Sequence, residues 1–115
     1  MSEEIQDVDA LVKSTLLSLG VPVDRLRYSG AANTYITFQL ISGGDTEFAD
    51  DDGVAYESNY RADIYSKENY LSLLRKTEQA LKSAGFYGVS VNAEMYEPDT
   101  GFFHVPIDFY YMMEV

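Results

Sequence analysis

Apolar and polar residues alternate along two stretches of this chain at the period of a half-buried strand. Tyr56, Ser58, Tyr60, Ala62 and Ile64 fall on one side of the first, with Glu57, Asn59, Arg61, Asp63 and Tyr65 on the other. Near the end of the chain, Phe103, Val105, Ile107, Phe109, Tyr111 and Met113 form an almost wholly apolar face. Phe102, His104, Pro106, Asp108, Tyr110 and Met112 form a mixed one. A 115-residue chain with that much apolar surface on both sides of a strand either covers it with a helix or uses it against another subunit.

Elsewhere the period changes to that of a helix. Ile5, Val8, Leu11, Val12, Thr15, Leu16 and Leu19 recur at helical spacing, and Gly20 and Pro22 end the run. Residues 20 to 33 read as a loop, and Thr34 to Ile41 as a strand with Ile36, Phe38 and Leu40 facing the core. Ser42 to Gly53 carries three glycines and five carboxylates, Asp45, Glu47, Asp50, Asp51 and Asp52, and reads as a flexible acidic loop.

 Ser66 is placed to cap a second helix, whose buried face runs through Tyr70, Leu73, Leu74, Thr77, Leu81 and Ala84 to a stop at Gly85. Val89, Val91, Ala93 and Met95 then alternate with Ser90, Asn92, Glu94 and Tyr96, and Glu97 to Gly101 makes a turn into the last strand.

The order helix, strand, strand, helix, strand, strand predicts one α+β domain over residues 1–115. Its expected form is a largely antiparallel four-stranded sheet with two helices packed on one face. With 46% hydrophobic residues the chain can build a core, and no apolar run approaches the ~20 residues of a membrane helix. Met1-Ser2-Glu3-Glu4 lacks the basic start and apolar centre of a secretion signal. The chain has no cysteine, so no disulfide or thiolate metal site is available, and a reducing cytoplasm fits.

Charge narrows the function. Nineteen Asp and Glu against eight Lys and Arg give −11, with no basic residue between Arg27 and Arg61 and none of Lys or Arg after Lys82. Such a field opposes nucleic-acid phosphates and anionic membranes.

Candidate chemistry is sparse. His104 is the only histidine and has no cysteine or serine motif beside it, so a structural place on the mixed face explains it better than general-base work. Asp50, Asp51 and Asp52 are consecutive and lie between strands, whereas an EF-hand alternates its ligands between two helices. Gly43-Gly44 lacks the lysine and hydroxyl residue of a phosphate loop. No cofactor or metal is expected, and the chain does not read as an enzyme. Among the ten tyrosines, Tyr56, Tyr60 and Tyr70 fall on core faces, while Tyr35, Tyr65, Tyr96 and Tyr110 suit an interface.

Four tracts together resemble a known family. They are Phe48 through the acidic triplet, Tyr60-Arg61-Ala62-Asp63-Ile64-Tyr65-Ser66-Lys67, the helix ending Ala84-Gly85-Phe86, and Tyr96-Glu97-Pro98-Asp99-Thr100-Gly101-Phe102-Phe103-His104. Over residues 5 to 113 the chain looks like the tail completion or tail terminator proteins of long-tailed bacteriophages and prophages. The resemblance implies a hexameric ring that caps the tail tube at its head-proximal end. Its partners would be further copies, the tail tube protein and the head-tail connector protein. The protein would be a virion component, held in the host cytoplasm during assembly. In such a ring Phe48 would insert into a neighbour and Asp50, Asp51 and Asp52 would face the channel. Other readings compatible with the residues are another phage neck or minor capsid protein, a cytoplasmic small-molecule-binding domain, or an acidic mimic of nucleic acid.

The charge balance makes a direct prediction. The chain should not bind generic duplex DNA at physiological salt, because it has too few cations to release counterions from a phosphate track. Micromolar binding in a salt titration would contradict the charge argument.

Overall fold

The structure is a computed structural model that describes residues 2–47 and 54–114. Helix α1 (Ser2–Leu17) is followed by β1 (Val23–Arg25), β2 (Thr34–Glu47) and β3 (Val54–Ser66). Then come α2 (Leu71–Ser83), β4 (Tyr87–Val91), β5 (Met95–Glu97) and β6 (Phe102–Glu114). The strands form one mixed sheet in the order β1-β2-β3-β6-β4, with β5 also paired to β6.

The four-stranded, largely antiparallel sheet expected from the sequence is therefore corrected to a six-stranded mixed one. Two local features account for the difference. β1 is three residues long and follows Pro22, too short to show an alternating pattern, and it runs parallel to β2 with Val23 opposite Ile36. The single strand expected over residues 89 to 96 is interrupted at Asn92–Glu94, which leaves β4 and β5 as separate strands along the same edge of β6. Gly88 marks the irregularity in β4. Its φ is +60°, and a β-carbon there would meet the Tyr110 ring at 2.8 Å, so only glycine fits.

Part of the expected flexible loop over 42–53 is strand. Ser42–Glu47 belong to β2, which passes a bulge between Leu40 and Ser42 and stays paired with β3 as far as Glu47 opposite Val54. At that bulge Leu40 leaves the core side and is 39% exposed, against expectation. Phe48, Asp50, Asp51 and Asp52 lie outside the described residues.

Both helices lie on one face of the sheet, where their apolar stripes meet a single core. Val8, Val12 and Leu16 of α1 and Leu81 of α2 pack with Ile36, Phe38, Tyr60, Ile64, Val105, Ile107 and Phe109. The buried Tyr60 donates its hydroxyl to Asp9 Oδ1 at 3.1 Å, fastening α1 to the middle strand. Burial, reinforced by the Asp9 charge, raises the Tyr60 hydroxyl above its ordinary range, so it stays a donor. α2 begins at Leu71 after Tyr70, not at Ser66. The Ser66 hydroxyl instead accepts from the Glu68 amide at 3.0 Å and shapes the turn between strand and helix. At its other end Gly85 (φ +99°) lets the Phe86 amide reach Leu81 O and its own amide reach Lys82 O. Phe86 and Leu81 are both buried there, completing a Schellman closure with its apolar contact.

Ile107 faces the helices and is fully buried, whereas Asp108 faces away. Ile107→Asp should cost on the order of 4 kcal/mol by burying an unpaired charge. Asp108→Ala, which loses a solvent-screened ion pair, should cost about 1 kcal/mol. Equal losses in thermal melts would show that the faces of β6 are assigned wrongly.

Candidate functional site

Among the described residues nothing covers the sheet face away from the helices, and strand register decides which side chains meet on it. Tyr35, Tyr65 and His104 lie directly opposite one another on β2, β3 and β6. Their rings stack across the strands, with centroids 4.9 Å apart for Tyr35 and Tyr65 and 4.3 Å for Tyr65 and His104. Tyr28, from the loop after β1, extends the row by stacking on Tyr35 at 4.4 Å. Phe102 stands edge-on to both Tyr35 and Tyr65, and Lys67 Nζ lies 5.0 Å from the Phe102 centroid.

This stack has a chemical consequence. The inner rings spend their π faces on each other, so those faces are not free to stack on a sugar or a nucleobase. Burial, then the charge of Asp63, pushes the Tyr65 hydroxyl up to about 12. It therefore remains a neutral donor across the physiological range.

Polar pairs fill the neighbouring rows. His104 Nε2 and Asp63 Oδ1 are 2.7 Å apart, and both side chains are largely buried. Arg61 and Asp108 lie opposite each other on β3 and β6. The guanidinium donates from Nε at 2.7 Å and from Nη2 at 3.2 Å, one bond to each carboxylate oxygen. Asn92 Nδ2 donates to the same carboxylate at 2.8 Å. The hydrogen bond from Arg61 holds the Asp108 carboxyl below its ordinary value, and the same bond raises Arg61. Farther along, Tyr110 stacks beside Tyr87, which donates its hydroxyl to Glu57. Burial and then Glu57 push Tyr87 up to about 12. Asn59 Oδ1 is buried there without a partner among the described residues.

Of the residues expected at an interface, Tyr35, Tyr65 and Tyr110 share this open face. Tyr96 does not: it sits on β5, packed against Phe103 at 4.8 Å on the helix side, and is more than half exposed. Sequence reading missed Tyr28, the Arg61–Asp108 fork and the Asp63–His104 pair. Each member of those pairs stood on the mixed side of its strand, but only the register of β3 against β6 joins them. Among the described residues no cluster of three metal-ligating side chains occurs. A cleft of about 420 Å³ opens elsewhere, between the start of α2 and β5, over Tyr70, Leu71 and Phe103.

No protein-family model matches the chain, and no curated protein matches it. Among solved structures it is similar to a chain in the virion of a native gene transfer agent (GTA) particle. The TM-score is 0.54 at 14% identity, over 92% of this chain and 93% of that one. At such identity the likeness is one of fold, and it spans nearly the whole of both chains.

The Arg61–Asp108 fork predicts a pH dependence. Because the folded-state pKa of Asp108 is depressed, its contribution is complete above the unfolded value of 3.8 and is lost as pH falls through the lower folded value. The stability difference between wild type and Asp108→Asn should be constant above pH ~5 and shrink below pH ~4. Urea titrations across this range test it, and a difference that grows toward acid would contradict the pairing.

Proposed function

We propose that this chain is a non-enzymatic structural subunit of a phage-like virion, of the tail terminator or tail completion kind. The observation that carries the proposal is the fold likeness to a virion chain, which covers both chains almost completely. The resemblance over residues 5 to 113 narrows it to a hexameric ring at the head-proximal end of the tail. There the subunits would contact one another, the tail tube protein and the head-tail connector protein.

The physical features are those an assembly subunit needs. The uncovered sheet face carries aromatic rings and internally neutralised polar pairs, a composition suited to burial against another protein. Tyr35, Tyr65 and Tyr110 are the candidate contacts on that face, with Tyr96 at the sheet edge. Past β1, which pairs only with Ile36–Phe38, β2 continues to Glu47. A net charge of −11 lets DNA pass a channel without being held. Phe48 and the Asp50–Asp52 triplet remain proposed on sequence grounds as a contact and a channel lining.

Electron microscopy of purified tail tubes mixed with the chain tests this reading. Rings of the chain at one end of each tube are expected, together with an arrest of further tube growth. Tubes whose ends stay bare and keep growing would contradict it.

A further inference from the structure

Leu26 is the one non-glycine residue among those described with a positive φ, at +68°. The Arg27 amide donates to Arg25 O at 2.8 Å across it, closing a three-residue turn of the rare, strained γ form. A leucine gains nothing from that conformation, which glycine would adopt freely. Yet the side chain is 60% exposed and projects from the edge of the sheet between two exposed arginines, Arg25 and Arg27. The Leu26 amide donates to Phe38 O at 2.8 Å and holds the turn against β2, while the side chain itself is left on the surface.

Toward the opposite edge of the sheet lies an open apolar cleft. The cleft of about 420 Å³ has Tyr70, Leu71 and Phe103 along its walls, with Leu71 56% exposed. Its rim holds Glu68 and Glu94, and Tyr70 donates its hydroxyl to Glu94. Lys67 also lines the cleft, with its Nζ 5.0 Å from the Phe102 centroid. An apolar knob thus stands on one edge between Arg27 and Arg25, which also pairs with Asp9 at 3.4 Å, and toward the other edge opens an apolar cleft whose rim carries two carboxylates and one lysine.

We infer that Leu26 of one copy seats in the Tyr70–Leu71–Phe103 cleft of the next, with Arg25 and Arg27 against Glu68 and Glu94. The occupant is a second copy because knob and cleft match in both apolarity and charge sign. Since they lie on opposite edges, the contact is head-to-tail, and the ring reading requires that repeated copies close on themselves. This deepens the ring reading above by naming the surfaces that would build it.

Sedimentation velocity over a range of concentrations tests the contact. Leu26→Asp and Leu71→Asp should each abolish self-association without lowering the melting temperature. Both sites are exposed, and an acidic residue suits the first turn of α2. Mixing the two variants should restore a dimer, because the first retains its cleft and the second its knob. Leu26→Gly should weaken association by about tenfold or more while leaving the melting temperature equal or higher.

Variants that assemble like wild type, or a mixture that stays monomeric, would overturn the contact. So would a Leu71→Asp variant that loses tube capping but self-associates normally, since the cleft would then serve another protein. A wild-type chain that stays monomeric yet caps tubes overturns this contact and leaves the virion reading standing.

Discussion

Everything in this molecule depends on β3 being paired on both sides along almost its full length. β2 holds one edge from Ser66 to Val54, and β6 holds the other from Ser66 to Ala55. Two long ladders fix one register, and a slip by a single residue would turn every side chain of the strand to the other face. The cost of such a slip is set by Tyr60, Ala62 and Ile64, which are essentially inaccessible beneath the helices. Tyr60 adds direction, because its hydroxyl has to reach Asp9 on α1. Once that register is set, the opposite face follows. Tyr65 is placed between Tyr35 and His104, Asp63 reaches His104, and Arg61 meets Asp108.

The two faces solve different problems. The helix side buries apolar rings and aliphatic groups in a closed core, while the open side pairs most of its charges and stacks its rings. A face of that kind is soluble in the free subunit and still loses little when water is removed, since its main ionic partners are already satisfied. The sheet edges differ again. β1, β4 and β5 are short, which discourages indiscriminate strand pairing, so recognition at those edges falls to side chains. Leu26 and Leu71, both more than half exposed, are the apolar side chains that the proposed contact would use there.

Much of this was legible in the sequence where a pattern was long. The faces of β3 and β6 follow from strict alternation over ten or more residues, and the apolar stripes of both helices follow from their spacing. Short elements left no such trace. Three residues of β1 after Pro22 carry no period, and the break at Asn92–Glu94 interrupts an alternation that reads as continuous. The bulge that exposes Leu40 is likewise invisible until β2 and β3 are paired. Of the site, Tyr35, Tyr65 and Tyr110 could be assigned to a face, but the partners of Arg61 and Asp63 could not, because pairing across strands is a property of register. Leu26 gave no signal at all: a leucine between two arginines is ordinary in sequence and unusual only in its backbone.

The claim that copies of this chain recognise one another through unlike edges and close on themselves is tested most directly by native mass spectrometry of the purified chain at rising concentration. The account predicts that one closed stoichiometry dominates, with few species between it and the monomer. A monomer at every concentration, or an open ladder with no preferred size, would contradict it.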